Sequence, residues 1–146
     1  MIVREASDSE LEKIVRLERI CFPGVYSYSP ENLMKFISEG VLLLAESSGK
    51  ILGYIAGEVE EISRIASICV HPDFRGRGIG RTLLKEFEKR VKKGIILIEC
   101  NTNNPALLFF LKNGFRAFGM ASLYYELPFN SSRDAFLMAK IVLELP

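Results

Sequence analysis

The chain has 146 residues, a length that builds one domain, expected here to span 1–146. Hydrophobic residues make up 49% of it, enough for a substantial core, and 19 basic against 18 acidic residues leave a net charge of +1. That balance excludes a global electrostatic pull toward nucleic acid or an anionic membrane. No apolar run approaches the roughly 18 residues of a spanning helix. The charged opening (Arg4, Glu5, Asp8) is unlike a secretory leader, so the expected location is the cytoplasm. Cys21, Cys69 and Cys100 are scattered and read as buried apolar thiols in a reducing compartment. With one histidine and no paired cysteine spacing, no metal site is expected.

In chain order, Ile2 to Glu5 predicts a short strand. Asp8 is the expected cap of a helix carrying Leu11, Ile14, Val15, Leu17, Cys21 and Phe22, which Pro23 and Gly24 end. Pro30 opens a second helix with Leu33, Met34, Phe36 and Ile37. Strands are expected over Val41 to Glu46 and Ile51 to Val59, joined by the turn Ser47-Ser48-Gly49-Lys50. A further antiparallel strand covers Ile62 to Val70. The next helix buries Ile79, Leu83, Leu84, Phe87 and Val91, and its basic opposite face reads as solvated surface. Gly94 stops it, and Ile95 to Glu99 reads as a buried parallel strand. Asn104 to Lys112 predicts a helix ended by Asn113-Gly114. Phe115 to Tyr125 and Ala135 to Glu144 predict a closing hairpin, with a mobile loop over Leu127 to Asp134.

The most informative stretch is Val70-His71-Pro72-Asp73-Phe74-Arg75-Gly76-Arg77-Gly78-Ile79-Gly80-Arg81. A strand runs into a glycine-rich turn and a helix starts at once. Glycines at alternate positions let the backbone turn tightly and approach a ligand. The first helical N–H groups and the helix dipole favour an anion, and Arg75, Arg77 and Arg81 add positive charge. The pattern therefore predicts a pyrophosphate cradle. A P-loop is excluded, because no Lys-[Ser/Thr] follows Gly80. A dinucleotide fingerprint fits Gly76 and Gly78 but meets Arg81 where its third glycine belongs, although Glu99 lies about 20 residues on.

A third pattern, [QR]-x-x-G-x-[GA], is met by Arg75, Gly78 and Gly80 and resembles the acetyl-coenzyme A loop of the GCN5-related N-acetyltransferases (GNAT). Ile68-Cys69-Val70-His71-Pro72 resembles the end of that family's fourth strand. Asn103-x-x-Ala106-x-x-x-Phe110-x-x-x-Gly114-Phe115 is similar to its N-x-x-A-x-x-x-Y-x-x-x-G-F segment. Tyr124-Tyr125 and Asp134-Ala135-Phe136-Leu137-Met138 resemble the tail of the protein N-terminal acetyltransferase branch, which includes the ribosomal-protein alanine enzymes.

The resemblance implies an α+β, three-layer fold in a single domain. Its central sheet would be mixed and mostly antiparallel, with the fourth and fifth strands splayed and about four helices flanking them. It implies acetyl-coenzyme A as cosubstrate. The backbone of Ile68, Cys69 and Val70 would hold the pantetheine arm. Arg75, Gly76, Arg77, Gly78, Ile79, Gly80 and Arg81 would surround the pyrophosphate, with Asn103 and Phe110 as further contacts. The implied acceptor is a protein N-terminus, and an auxiliary subunit or a second copy is a candidate partner.

Acetyl transfer to an amine needs a base and a stabilised oxyanion. An α-amine, with a pKa near ~8, needs less help than a lysine near ~10.4. Glu99, at the open end of the parallel strand, is the first candidate base. Glu58, Glu60 and Glu61 are the reserve, and His71 is a third choice. Phe110 stands where the family has a tyrosine acid, so Tyr124 or Tyr125 is the expected substitute, with Tyr125 named as catalytic. The loop after the first helix carries Tyr26 and Tyr28 where ribosomal-protein relatives have a tryptophan. Together with Tyr124 and Tyr125 they are the expected peptide-binding residues. The other readings are a small-amine acetyltransferase and a non-catalytic acetyl-coenzyme A-binding module.

Overall fold

The computed structural model describes residues 1–22 and 27–144. Its regular elements are β1 (Ile2–Glu5), α1 (Leu11–Cys21), α2 (Pro30–Glu39), β2 (Val41–Ser47), β3 (Lys50–Glu58) and β4 (Ile62–Val70). They continue with α3 (Ile79–Val91), β5 (Gly94–Asn101), α4 (Ala106–Lys112), β6 (Arg116–Ala121) and β7 (Ala135–Val142). The strands form a seven-stranded sheet of order β1-β2-β3-β4-β5-β7-β6. Only β4 and β5 run parallel; every other neighbouring pair is antiparallel.

Two cores sandwich the sheet. Ile14, Leu17, Leu33 and Phe36 of α1 and α2 pack on Leu42, Leu44, Tyr54 and Cys69 on one face. Ile79, Leu83, Leu84, Phe87 and Val91 of α3, with Phe110 of α4, pack on Leu43, Ile55, Ile65, Ile96 and Ile98 on the other. The alternation along β2 sends Leu42 and Leu44 to one core and Leu43 and Ala45 to the other, which is why that strand reads as continuously apolar. The expected α+β, three-layer architecture is the one observed. No helix among the described residues is long and apolar enough to cross a membrane.

A bulge in β4 breaks the alternation. Ala56 of β3 faces Ser67, and the next pair is Gly57 with Ile65, so Ala66 is an extra residue. Ile65 and Ile68 consequently face the α3 core, whereas Ala66 and Cys69 face α1 and α2. Beside the bulge the parallel pairing ends. It runs from Ile62↔Ile95 to Arg64↔Leu97 and no further, although β4 continues to Val70 and β5 to Asn101. β5 stays paired with β7 along its whole length. The two central strands therefore splay, as expected.

Several local expectations are corrected. The first helix is capped by Ser7, not Asp8. The Ser7 N–H donates to Glu10 (2.9 Å), completing an S-x-x-E capping box, and Asp8 lies inside the first turn. Arg4 holds the same Glu10 carboxylate and that of Glu46. The third helix is closed by Lys92 in the left-handed region (φ +68°), while Gly94 already begins β5. The helix expected from Asn104 starts at Ala106, because the Asn104 carboxamide caps the Ala106 N–H (2.9 Å). The last hairpin is shorter than expected. Leu123 adopts φ +53° and its N–H donates to Asp134 (2.9 Å), so β6 stops at Ala121 and Tyr124 and Tyr125 lie in a loop. Of the thiols, Cys69 and Cys100 are buried as expected, but Cys21 is half-exposed. The Cys69 thiol and the Arg75 guanidinium draw the Cys21 pKa down to about 7.

The α1–α2 core also holds a carboxylate. Glu18 is fully buried and accepts hydrogen bonds from the Tyr54 hydroxyl, the Ser67 hydroxyl (3.2 Å) and the Tyr28 N–H (2.7 Å). Burial pushes its pKa above the ordinary 4.5, against these donors. A carboxyl whose folded pKa lies above its unfolded value adds stability as pH falls. That gain grows from its raised pKa down to the ordinary value and is lost as pH rises. Wild type should therefore gain melting temperature relative to Glu18→Gln on going from neutral toward pH 5. Thermal melts across that range measure the difference, and a constant offset would refute it.

The bulge sets a second expectation. A Cβ on Gly57 would press into the Arg64 carbonyl oxygen and stand 3.0 Å from the Phe87 ring. Neither a paired strand nor a buried ring can retreat, so Gly57→Ala should cost about 1–3 kcal/mol in denaturant unfolding.

Candidate active site

The turn after β4 is built from short local bonds. The His71 N–H donates to Leu52 (2.8 Å), and the His71 Nδ1 accepts from the Asp73 N–H (3.1 Å). That imidazole nitrogen is thereby spent on capping the turn at Pro72–Phe74. Arg75 folds back to donate Nε–H to the Val70 carbonyl (2.9 Å). Gly76 (φ +78°) and Gly78 (φ +80°) are both left-handed and lead directly into α3. A Cβ at either would meet nothing within 4 Å, so the space above the turn is open.

The first bond within α3 is from the Thr82 N–H to the Gly78 carbonyl (3.0 Å). The amides of Ile79, Gly80 and Arg81 precede it and have no acceptor within the helix. They face the positive end of a 13-residue helix, with the exposed Arg75, Arg77 and Arg81 around it. Arg77 lies over the Phe74 ring at 5.5 Å, which fixes one of these charges. Gly80 differs from the other two glycines. It is helical, and a Cβ there would lie 3.2 Å from the Phe109 ring, so its smallness serves the packing of α3 on α4. Ile79 itself is buried.

The cradle opens onto the splay. Along Ile68, Cys69 and Val70, β4 is paired with β3 on one side only. Carbonyls near this stretch are met by side chains: Tyr28 Oη donates to Ala66 (3.2 Å) and Cys21 Sγ approaches Val70 (3.5 Å). Across the gap, Ile98 and Cys100 of β5 belong to the α3 core, which turns Glu99 toward the α1–α2 face. There Arg64 grips it. Nε lies 3.2 Å from both carboxylate oxygens and Nη2 lies 2.9 Å from Oε2.

Tyrosines lie within electrostatic reach of this pair. The hydrogen bonds to Glu99 are the largest influence holding the Arg64 charge, with Tyr28 and Tyr124 nearby. Tyr28 is half-buried, edge-on to Phe36 at 5.8 Å, and burial raises its hydroxyl pKa. Tyr124 and Tyr125 stack edge-on at 4.9 Å, and burial raises the Tyr125 hydroxyl, which keeps its proton. The structure thus brings Glu99, Tyr28, Tyr124 and Tyr125 to one mouth of the splay. Tyr26 lies outside the described residues.

Other sequence candidates lie elsewhere. Glu58, Glu60 and Glu61 cluster before β4 begins, at the end opposite the splay. Phe110 is buried, edge-on to Phe109 (5.3 Å) and Phe115 (5.6 Å). The Asn103 side chain donates to the Asn130 carbonyl (2.7 Å), and Asn130 donates back to Asn103 (3.2 Å). With Asn101 donating to the Ser132 carbonyl (2.9 Å), these bonds tie down the loop expected to be mobile. Among the described residues no group of three or more His, Cys, Asp or Glu side chains is placed to hold a metal ion.

Sequence reasoning missed Arg64, Glu18 and Asn101. Glu18 had a visible signal, a carboxylate in step with the apolar stripe Ile14, Leu17 and Cys21 of α1. Arg64 had none, because its facing depends on the bulge at Ala66.

Comparison with known proteins agrees with this geometry. Residues 38–117 match the family described as the acetyltransferase (GNAT) domain. An uncharacterized N-acetyltransferase of Methanocaldococcus jannaschii is 30% identical, over 96% of this chain and 91% of its own length. An N-alpha-acetyltransferase of Sulfurisphaera tokodaii is 27% identical, over 94% and 90%. The ribosomal-protein-S18-alanine N-acetyltransferase of Escherichia coli superposes with a TM-score of 0.84 at 19% identity, covering 99% of this chain and 96% of that one, a likeness of fold. On the family match and the near full-length relative, the chain belongs to the GNAT acetyltransferase family.

Proposed function

We propose that this protein transfers the acetyl group of acetyl-coenzyme A to the α-amine of a protein N-terminus. One observation carries the reading. The open, cationic amide cradle at the end of β4 leads into a gap between strands, and the far mouth of that gap holds a carboxylate among tyrosines.

In this reading the amides of Ile79, Gly80 and Arg81, with Gly76, Gly78 and the arginines, take the pyrophosphate. The free edge of Ile68 to Val70 takes the pantetheine arm as an added strand. The amine nitrogen attacks the thioester carbon, the C–S bond breaks, and the amine proton passes to Glu99 directly or through a water. The departing thiol has a pKa near ~8.5, so it leaves as thiolate with little help. That eases the lack of a hydroxyl on Phe110. Tyr125, protonated beside the same mouth, is the proposed donor where one is used. Tyr28 and Tyr124 would line the acceptor groove. A polyamine would favour a site of net negative charge, whereas Glu99 is already neutralised by Arg64.

Two variants and an acceptor panel test this. Gly78→Val places a β-branched side chain in the left-handed region and in the open cradle. Calorimetry should show coenzyme A binding lost, while the melt stays cooperative at a somewhat lower temperature. Glu99→Gln should lower kcat by about 10²-fold with little change in the KM for acetyl-coenzyme A. Short peptides with free N-termini should be turned over far faster than spermidine, and blocking the α-amine while leaving an internal lysine free should remove most activity. Spermidine outperforming every peptide would refute the N-terminal acceptor, and coenzyme A binding with no turnover of either would indicate a non-catalytic module.

A further inference from the structure

Arg64 is a cation held directly on Glu99 at the acceptor mouth, and acetyl transfer as such does not call for it. It stands at the last paired position before the splay, opposite Leu97, and directly before the bulge at Ala66. Its side chain is 39% exposed, against 21% for Glu99. The pair is half-buried, so the guanidinium is held in place by Glu99 yet still reaches solvent at the mouth. Two of its nitrogens, Nε and Nη2, are engaged by Glu99. Among the described residues Nη1 has no hydrogen-bond partner, so one edge of the guanidinium fork is unspent. Tyr28 and Tyr124 lie within its electrostatic reach.

The consequence for an incoming amine is electrostatic. An α-ammonium that approaches Glu99 must also approach the guanidinium that Glu99 neutralises. One carboxylate would then serve two cations, which is unfavourable in a half-buried site. A carboxylate carried by the acceptor removes the conflict. It occupies the free edge of Arg64 in the forked geometry that guanidinium groups favour, while the amine takes Glu99. The site presents one anion and one cation side by side, and complements a ligand that presents one cation and one anion a short side chain apart.

We propose that Arg64 is a specificity-determining residue that selects acceptor N-termini bearing Asp or Glu at the first or second position. This rests on the N-terminal acceptor reading above and narrows it to acidic peptides. A free amino acid also pairs an amine with a carboxylate, so the experiment separates the two sources.

The test is a set of C-terminally amidated peptides in matched pairs, Glu against Gln and Asp against Asn at positions one and two, with free glutamate alongside. Wild type should show kcat/KM at least about tenfold higher for each acidic member than for its amide twin at one of the two positions. In Arg64→Met that ratio should fall to about one, with coenzyme A affinity and the cooperative melt retained. Arg64→Lys keeps the charge without the fork and should retain part of the preference. A structural cross-link alone would change overall activity and leave the ratio untouched. Should both variants unfold, the wild-type ratio decides. A ratio near one in wild type, or a ratio unchanged in Arg64→Met, overturns the proposal while leaving N-terminal acetylation in place. Preference for free glutamate over every peptide overturns it in favour of an amino-acid acceptor. Turnover of no peptide at all removes the N-terminal reading together with this one.

Discussion

The pairing between β4 and β5 is the constraint on which the site depends. Hydrogen bonds between parallel strands are satisfied only from Ile62 to Arg64, and then the strands part. Each is held on its outer side, β4 by β3 and β5 by β7, so the gap is not a frayed edge. The extra residue at Ala66 adds a bend and local twist to β4 and exchanges which core its side chains enter. Cradle, gap and acceptor face all follow from this single departure from regular pairing. The glycine opposite it, Gly57, supplies the room.

The acceptor face has its own logic. Glu18 lies beneath it as a buried carboxyl with no cationic partner among the described residues, satisfied by three donors from three different segments. Burying a charge this way costs free energy, and such a group fixes geometry more than it stabilises. Here it holds the Tyr28 amide, and the Tyr28 hydroxyl reaches the bulge carbonyl of Ala66. The segment just before α2 and the splay are thereby referenced to one another through one carboxylate.

Much of this was legible in the sequence, and the reasons are physical. Strand and helix identities follow hydrophobic period and turn residues, which act locally. So the hairpin through Ser48 and Gly49, the helix opened by Pro30 and the left-handed turn at Gly76 and Gly78 read correctly. The convergence of Glu99 with Tyr28, Tyr124 and Tyr125 was expected only through family resemblance, and the structure brings them together. What failed was non-local. The packing of Gly80 on Phe109, far along the chain, could not be read from its place in the glycine run. Arg64 was unreadable because the bulge at Ala66 offsets its face from that of the residues of β4 that follow. The end of β6 was misplaced because a side chain thirteen positions from Ala121, Asp134, captures the Leu123 amide.

The bonds joining the loop after β5 to the loop between β6 and β7 carry a mechanical consequence. Asn101, Asn103, Asn130 and Ser132 lock two long excursions into one body, and that body carries Tyr124 and Tyr125 on one side and leads into α4 on the other. The acceptor wall therefore cannot shift independently of the helix that packs against the cradle through Phe109 and Gly80. The two ends of the gap are thereby joined through one hydrogen-bonded body.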